Sequence, residues 1–192
     1  MKNSSPQLNF SKLRLKRTSP TVKIGSERML RWSPISFLVV FLDQWTKSIA
    51  VDAMSLGDRI SVFPYFSWVR WHNEGAAFSF LANAGGWQRW FFVVLGFFFV
   101  LFLVNELRNL KERFSTLHLI YTLIIGGAVG NTIDRLVNGY VVDFILVHYD
   151  QYYFPAFNVA DSALTLGAVM WAIILVREMI QEKRVDSREN ES

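Results

Sequence analysis

The sequence predicts a membrane α-helical protein: a four-transmembrane-helix bundle with a small extracytoplasmic β-platform formed by its two outer loops. Three observations lead there. Hydrophobic residues fill 52% of the 192 positions and the mean hydropathy is +0.23, although the chain carries 20 basic and 16 acidic residues, so charge and apolar surface must be segregated. Four stretches of about 20 mostly apolar residues are each long enough, at ~1.5 Å per residue, to cross a ~30 Å hydrocarbon layer. Lys and Arg outside those stretches number eight in 1–31, three in 105–116 and four in 177–192, against two in 55–88 and none in 137–157.

Residues 1–31 are polar, rich in Lys, Arg and Ser and without period, and read as a disordered basic tail. Ser33-Pro34 is a helix-start signal, with Pro at the first helical position, and opens span one, about 35–54. A secretory signal peptide competes for this segment, because Ser48-Ile49-Ala50 resembles a small-x-small cleavage site. Asp43 and Lys47 between the apolar core and that site, and three further spans, argue against it. Span two, about 89–105, is nearly all Phe, Val and Leu. Span three, about 117–136, carries Gly126 and Gly130 four apart, a face that lets a neighbouring helix approach closely. Span four covers about 158–177, and 178–192 reads as a polar tail.

The distribution of positive charge puts both termini in the cytoplasm and the loops 55–88 and 137–157 outside. Arg59 to Trp71, Tyr140 to Val147 and Tyr152 to Phe157 mix aromatic and β-branched residues as short strands do, and Asn73-Glu74-Gly75 supplies turn chemistry. Strands resting on the membrane surface, with Trp and Tyr at headgroup level, fit both loops. Aromatic belts also occur without any catalytic purpose.

Composition excludes several chemistries. With no Cys there are no disulfides, thiol nucleophiles, thiolate zinc sites or iron–sulfur clusters. His72, His118 and His148 are the only histidines, and neither H-E-x-x-H nor G-x-S-x-G occurs. No metal, cofactor or nucleic-acid partner is expected.

What remains is carboxylate chemistry. An acid at mid-span costs roughly 2.5–3.5 kcal/mol on insertion scales, so each requires a partner or a role. Asp43 stands four residues before Lys47, the order and spacing of an intrahelical ion pair. Asp134-Arg135 ends span three; adjacent residues diverge around a helix, so their partners must come from elsewhere, and a scaffold role is expected. Asp143 lies in the apolar run Val141-Val142-Asp143-Phe144, in a loop with no Lys or Arg, which would raise its pKa at a dry site. Asp161 stands three residues after Asn158, where a helix cap and the helix dipole already account for a carboxylate. The topology nevertheless brings Asp143 and Asp161 to the same outer boundary. Two facing carboxyls cannot readily lose both protons, so one serves as base toward a water and the other as acid, the apparatus of aspartic proteolysis.

Five blocks now resemble the lipoprotein signal peptidases (signal peptidase II), bacterial membrane aspartic proteases. They are Asp43-Gln44-Trp45-Thr46-Lys47, Asn73-Glu74-Gly75-Ala76-Ala77-Phe78, Gly126 to Arg135, Val141-Val142-Asp143-Phe144 and Phe157-Asn158-Val159-Ala160-Asp161. The resemblance implies that Asp143 and Asp161 are the catalytic pair and that Asp43, Lys47, Asn73, Asn131, Asp134, Arg135 and Asn158 support the site or bind substrate. It implies a peptidase domain over 32–177 in the bacterial inner membrane, monomeric, with the site on the periplasmic side. The implied substrate is a diacylglyceryl-modified prolipoprotein held in membrane lipid and cut just before its lipidated Cys. The long basic tail departs from the family, and Met29 is an alternative start that leaves Arg31 to hold the N-terminus inside. A transporter or channel would place its acids nearer mid-bilayer. An anchoring protein would use the aromatic loops as a docking surface.

Overall fold

A computed structural model describes residues 21–75, 85–110 and 116–189. Helix α1 (Thr21–Ala53) contains Pro34 in its interior. The expected start at Ser33-Pro34 and the expected disordered tail are therefore corrected for 21–31, which are helical; residues 1–20 lie outside the described ones. The physical reason is that Glu27 to Arg31 are good helix formers adjoining an existing helix, where propagation is cheap. Pro34 withdraws one backbone donor without stopping the helix.

Strands β1 (Arg59–Phe63) and β2 (Phe66–Asn73) form a hairpin, and β3 (Val141–Tyr149) and β4 (Tyr152–Tyr153) form another. All four join one antiparallel sheet in the order β1-β2-β3-β4, so the segment after α1 and the segment after α3 meet through the β2–β3 ladder. The expected strand over 152–157 is shorter: beyond Tyr153 only Phe157 bridges back, to Ile145. Arg70 of β2 donates to the carbonyls of Val51 and Met54, closing the C-terminal end of α1, where a cation suits the dipole. Ala50 of α1 and Met54 just beyond it pack on Phe144 of β3. These contacts seat the sheet on the end of the bundle.

Helices α2 (Trp87–Asn109), α3 (Thr116–Val137) and α4 (Val159–Glu189) cover spans two to four. Each is long and apolar enough to cross a membrane; in α1, Asp43, Gln44 and Lys47 interrupt the apolar run. The polar segment after residue 177 is helical as far as it is described, since α4 continues through Glu189. Glu, Lys and Arg there favour helix once the apolar part has nucleated it.

Helix α3 is the central one, 56% of its apolar window being buried against 11% for α2 and 17% for α4. It packs on all three other helices. Its glycines explain how. A Cβ at Gly126 would stand 2.8 Å from the Val39 Cβ, and one at Gly127 would run into the Ala160 carbonyl and lie 2.7 Å from Leu164. α1 and α4 therefore approach α3 at backbone distance. Leu103, Leu107, Ile120, Ile124 and Ile125 form the apolar core between α2 and α3.

Candidate active site

The site forms where the C-terminal ends of α1 and α3 and the N-terminal end of α4 meet the sheet. Asp143 reaches it because β3 enters the bundle end, with Asp143 paired opposite Trp71 next to a register shift in β2. Such irregularities re-aim side chains. Asp161 reaches it from the first turn of α4.

Asn158 joins the two. Fully buried, it donates from Nδ2 to Asp143 Oδ1 at 2.8 Å and accepts at Oδ1 from the Asp161 amide at 2.9 Å. Asp161 Oδ2 in return accepts from the Asn158 amide at 3.2 Å, a reciprocal cap of α4. The cap expected from the sequence and the approach to Asp143 are thus one arrangement. Asp143 Oδ2 accepts from Asn73 Nδ2 at 3.1 Å, and Asp161 Oδ1 accepts from Asn131 Nδ2 at 2.7 Å. Each carboxylate is held by neutral amides, with Arg and Lys outside hydrogen-bonding contact.

Burial pushes the Asp143 carboxyl up to about 7, and the nearby Asp161 charge adds to it; the Asn73 and Asn158 amides pull the other way without winning. The sequence expectation of a raised pKa is met for this reason. At neutral pH the group is poised between acid and base forms.

A charged layer lies behind the amides. Lys47 Nζ contacts Asp43 Oδ2 at 2.7 Å, Asp134 Oδ2 at 2.9 Å and Asn131 Oδ1 at 3.1 Å, and all three ionic side chains are buried. The ammonium thereby fixes which end of Asn131 faces Asp161. Asp43 Oδ1 also accepts from the Ala160 amide at 2.9 Å, so a carboxylate of α1 satisfies a free donor at the start of α4. Asp134 Oδ2 accepts from the Val142 amide at 3.1 Å, tying α3 to the residue before Asp143. Gly130 makes room for this layer, because a Cβ there would stand 2.7 Å from Asp43 Oδ2.

Arg135 turns away from the carboxylates' hydrogen-bonding shell. It donates to the Gly75 carbonyl at 2.7 Å and to the Asn131 carbonyl at 3.3 Å, and its guanidinium lies 4.9 Å from the Phe92 ring centroid. The Gly75 amide in turn donates to Asn73 Oδ1 at 3.1 Å, which leaves the Asn73 Nδ2 for Asp143. Ala76 to Phe78 of the same block lie outside the described residues.

All nine residues singled out in the sequence therefore gather in one network. The sequence reading passed over Gln44, whose Nε2 donates to Asp134 Oδ1 at 2.9 Å, with Gly130 O at 3.3 Å and Asp43 Oδ2 at 3.2 Å. Its signal was available: an amide between two ionic residues of an apolar span. Among the described residues no three His, Asp or Glu side chains are grouped as a metal ion would require.

Comparison with known proteins places the chain. The family described as Peptidase_A8, Signal peptidase (SPase) II, matches residues 35–177. A protein of Acinetobacter baumannii (strain SDF) named "Lipoprotein signal peptidase" is 49% identical over 144 residues, 75% of this chain and 82% of that one. A protein of the same name from Pseudomonas putida is 45% identical over 168 residues, 86% of this chain and 98% of that one. A solved structure titled "Bacterial membrane enzyme structure by the in meso method at 2.3 A resolution" superposes with a TM-score of 0.70 at 33% identity, covering 78% of this chain and 89% of that one. With the match running through every block of the network from Asp43 to Asp161, the chain belongs to the signal peptidase II family of proteases.

Proposed function

We propose that the chain is an aspartic endopeptidase that removes the signal peptide from diacylglyceryl-modified prolipoproteins, cutting just before the lipidated Cys, with Asp143 and Asp161 as its catalytic pair. The observation that carries this is the sharing of Asn158 between two carboxylates brought from different elements, one of them with its pKa raised to about 7.

A water between the two carboxyls gives its proton to the ionised one while its oxygen attacks the scissile carbonyl carbon. The other carboxyl then donates its proton to the leaving nitrogen as the C–N bond breaks. The pair ends as it began with a single proton, now on the other partner, and transfer of that proton between the two carboxyls through water restores the starting form. The titration belongs to the pair, and neither position owns the proton. Neutral amides suit this cycle, because a direct cation would hold both carboxyls ionised.

The peptidase domain spans 32–177 and crosses the bacterial inner membrane four times, α1 supplying a crossing in addition to those of α2, α3 and α4. Pairing of Lys47 with Asp43 and Asp134 supports this by removing uncompensated charge from the apolar segment. The excess of Lys and Arg in 1–31, 105–116 and 177–192 puts both termini in the cytoplasm and the site at the periplasmic surface. There the lipid anchor and the signal helix of the substrate hold the scissile bond at the depth of Asp143 and Asp161. The enzyme acts as a monomer surrounded by membrane lipid.

The test is incubation of purified protein with a diacylglyceryl-modified precursor and with its unlipidated counterpart. Only the first is cut, and Asp143→Asn and Asp161→Asn each abolish cleavage while remaining folded. Turnover retained in either variant removes that residue from the pair.

A further inference from the structure

Two acids of the charged layer reach the backbone beside Asp143 and Asp161 in the same way. Asp134 Oδ2 accepts from the amide of Val142, the residue before Asp143, at 3.1 Å. Asp43 Oδ1 accepts from the amide of Ala160, the residue before Asp161, at 2.9 Å. Each carboxylate therefore holds the backbone one residue upstream of one member of the pair. How Asp43 and Asp134 are held against each other then bears directly on how Asp143 and Asp161 are spaced.

One side chain besides Lys47 touches both acids. Gln44 lies on α1 three residues before Lys47, and its Nε2 is 2.9 Å from Asp134 Oδ1 and 3.2 Å from Asp43 Oδ2, with the Gly130 carbonyl oxygen at 3.3 Å. All three neighbours present oxygens, two of them from carboxylates, so the nitrogen end of the amide must face them. That nitrogen carries two hydrogens; the shortest contact, to Asp134, engages one and the two longer contacts share the other.

Gln44 and Lys47 constrain the acids differently. Lys47 Nζ meets the Oδ2 oxygens of Asp43 and Asp134 at 2.7 and 2.9 Å. An ammonium is close to a point charge with rotatable donors, so it leaves each carboxylate free to pivot about that oxygen. Gln44 addresses Oδ1 of Asp134, the oxygen opposite the one that Lys47 and Val142 share. With both oxygens held, the plane of the Asp134 carboxylate is fixed, and with it the aim of Oδ2 at the Val142 amide. The donor is also neutral, so it adds direction without a second cation that would favour two ionised carboxyls in the pair.

We propose that Gln44 is a positioning residue: by tying Asp134 to Asp43 it sets the separation and relative orientation of Asp143 and Asp161, acting through the Val142 and Ala160 amides. This rests on the peptidase reading of that pair. Gln44 makes no hydrogen bond to Asp143 or Asp161 among the described residues, so its loss spares substrate binding and slows the chemical step.

The test is steady-state cleavage of a diacylglyceryl-modified precursor by the full chain in detergent, below the unfolding transition of every variant, with kcat and KM separated. Gln44→Met keeps the length of the side chain and removes its donors. Its kcat falls about ten- to thirtyfold, a fraction of the hundredfold that misplacement by about 1 Å costs, while KM changes less than about twofold. Gln44→Glu keeps the shape but donates only while protonated and repels both acids once ionised. Its kcat relative to the unaltered chain therefore falls as pH rises from about 5 to about 8, whereas the Gln44→Met ratio stays level. Adding Gln44→Met to Asp134→Asn costs less than Gln44→Met alone, because the bond it removes is already weakened.

Unchanged kcat in folded Gln44→Met overturns the proposal, as does a loss carried by KM alone, a pH-independent Gln44→Glu ratio, or full additivity with Asp134→Asn. Should Gln44→Met not fold, the pH dependence of Gln44→Glu decides by itself. Any of these results with cleavage by the unaltered chain intact refutes the role of Gln44 and spares the peptidase reading. An unaltered chain that cuts no lipidated precursor refutes the peptidase reading, and this inference with it.

Discussion

Replacing Lys47 by Met removes the one cation that two buried carboxylates share. At an effective dielectric of about 20, each contact at the observed ~2.8 Å is worth about 6 kcal/mol before desolvation is counted. The measured cost of breaking such buried pairs is smaller, about 3–5 kcal/mol, since desolvation of the Lys is recovered and one carboxyl can take up a proton. Lys47→Met is therefore expected to lose about 3–5 kcal/mol of stability. It also frees Asn131 to turn its amide, because the Lys47 contact at Asn131 Oδ1 is what directs Nδ2 toward Asp161. Cleavage should fall by about a hundredfold or more, as misplacement of a reacting group near 1 Å costs. Thermal and denaturant unfolding in detergent, with cleavage of a lipidated precursor below the transition, reads both. The double variant Asp43→Asn with Lys47→Met should regain part of the stability, since one orphaned charge is gone, but not the activity. A Lys47→Met protein with unchanged unfolding and unchanged turnover refutes the charged layer as the support of Asn131.

The raised pKa of Asp143 has a stability consequence of definite sign. Between pH 4 and 7 the folded state holds a proton that the unfolded state has released, so stability falls as pH rises through that window, by at most about 4 kcal/mol, and levels off above it. Asp143→Asn should lack this component, so melting curves of the two proteins converge toward acid and diverge toward pH 8; parallel pH profiles would contradict it. Asp134→Asn leaves Lys47 paired with Asp43 and touches neither Asp143 nor Asp161, so it should lose stability and keep measurable cleavage. A fully folded and wholly inactive Asp134→Asn protein would overturn that ranking of the acids. Gly127→Ala forces a methyl into the Ala160 carbonyl and Leu164, displacing the start of α4 and Asp161 with it; the expected cost is about 1–3 kcal/mol, with cleavage lost more steeply than stability. Wild-type activity in this variant would show that α4 tolerates the shift.

Much of this molecule is legible in one dimension because membrane insertion is a local constraint. Twenty apolar residues in a row have few alternatives to a helix, and the helices α2, α3 and α4 follow from that. Helix ends were less legible: nothing in Thr21 to Arg31 or in Glu178 to Glu189 is apolar enough to mark a span, yet both continue helices whose nucleus lies elsewhere. The intrahelical pair of Asp43 with Lys47 could be read from i,i+4 spacing, and the Asn158–Asp161 cap from i,i+3 spacing. Asp143 could be marked as unusual because its own segment holds no cation.

Sequence by itself determined which groups must find partners, since a charge in apolar surroundings declares its need through its neighbours along the chain. Only the tertiary structure decided who those partners are. That Lys47 serves Asp134 as well as Asp43, that Asp43 caps a helix that begins 116 residues later, and that Arg135 supports Asn73 through Gly75 depend on contacts between elements far apart along the chain. Such contacts are set by how closely Gly126, Gly127 and Gly130 let three helices approach, a distance that no spacing along the chain encodes.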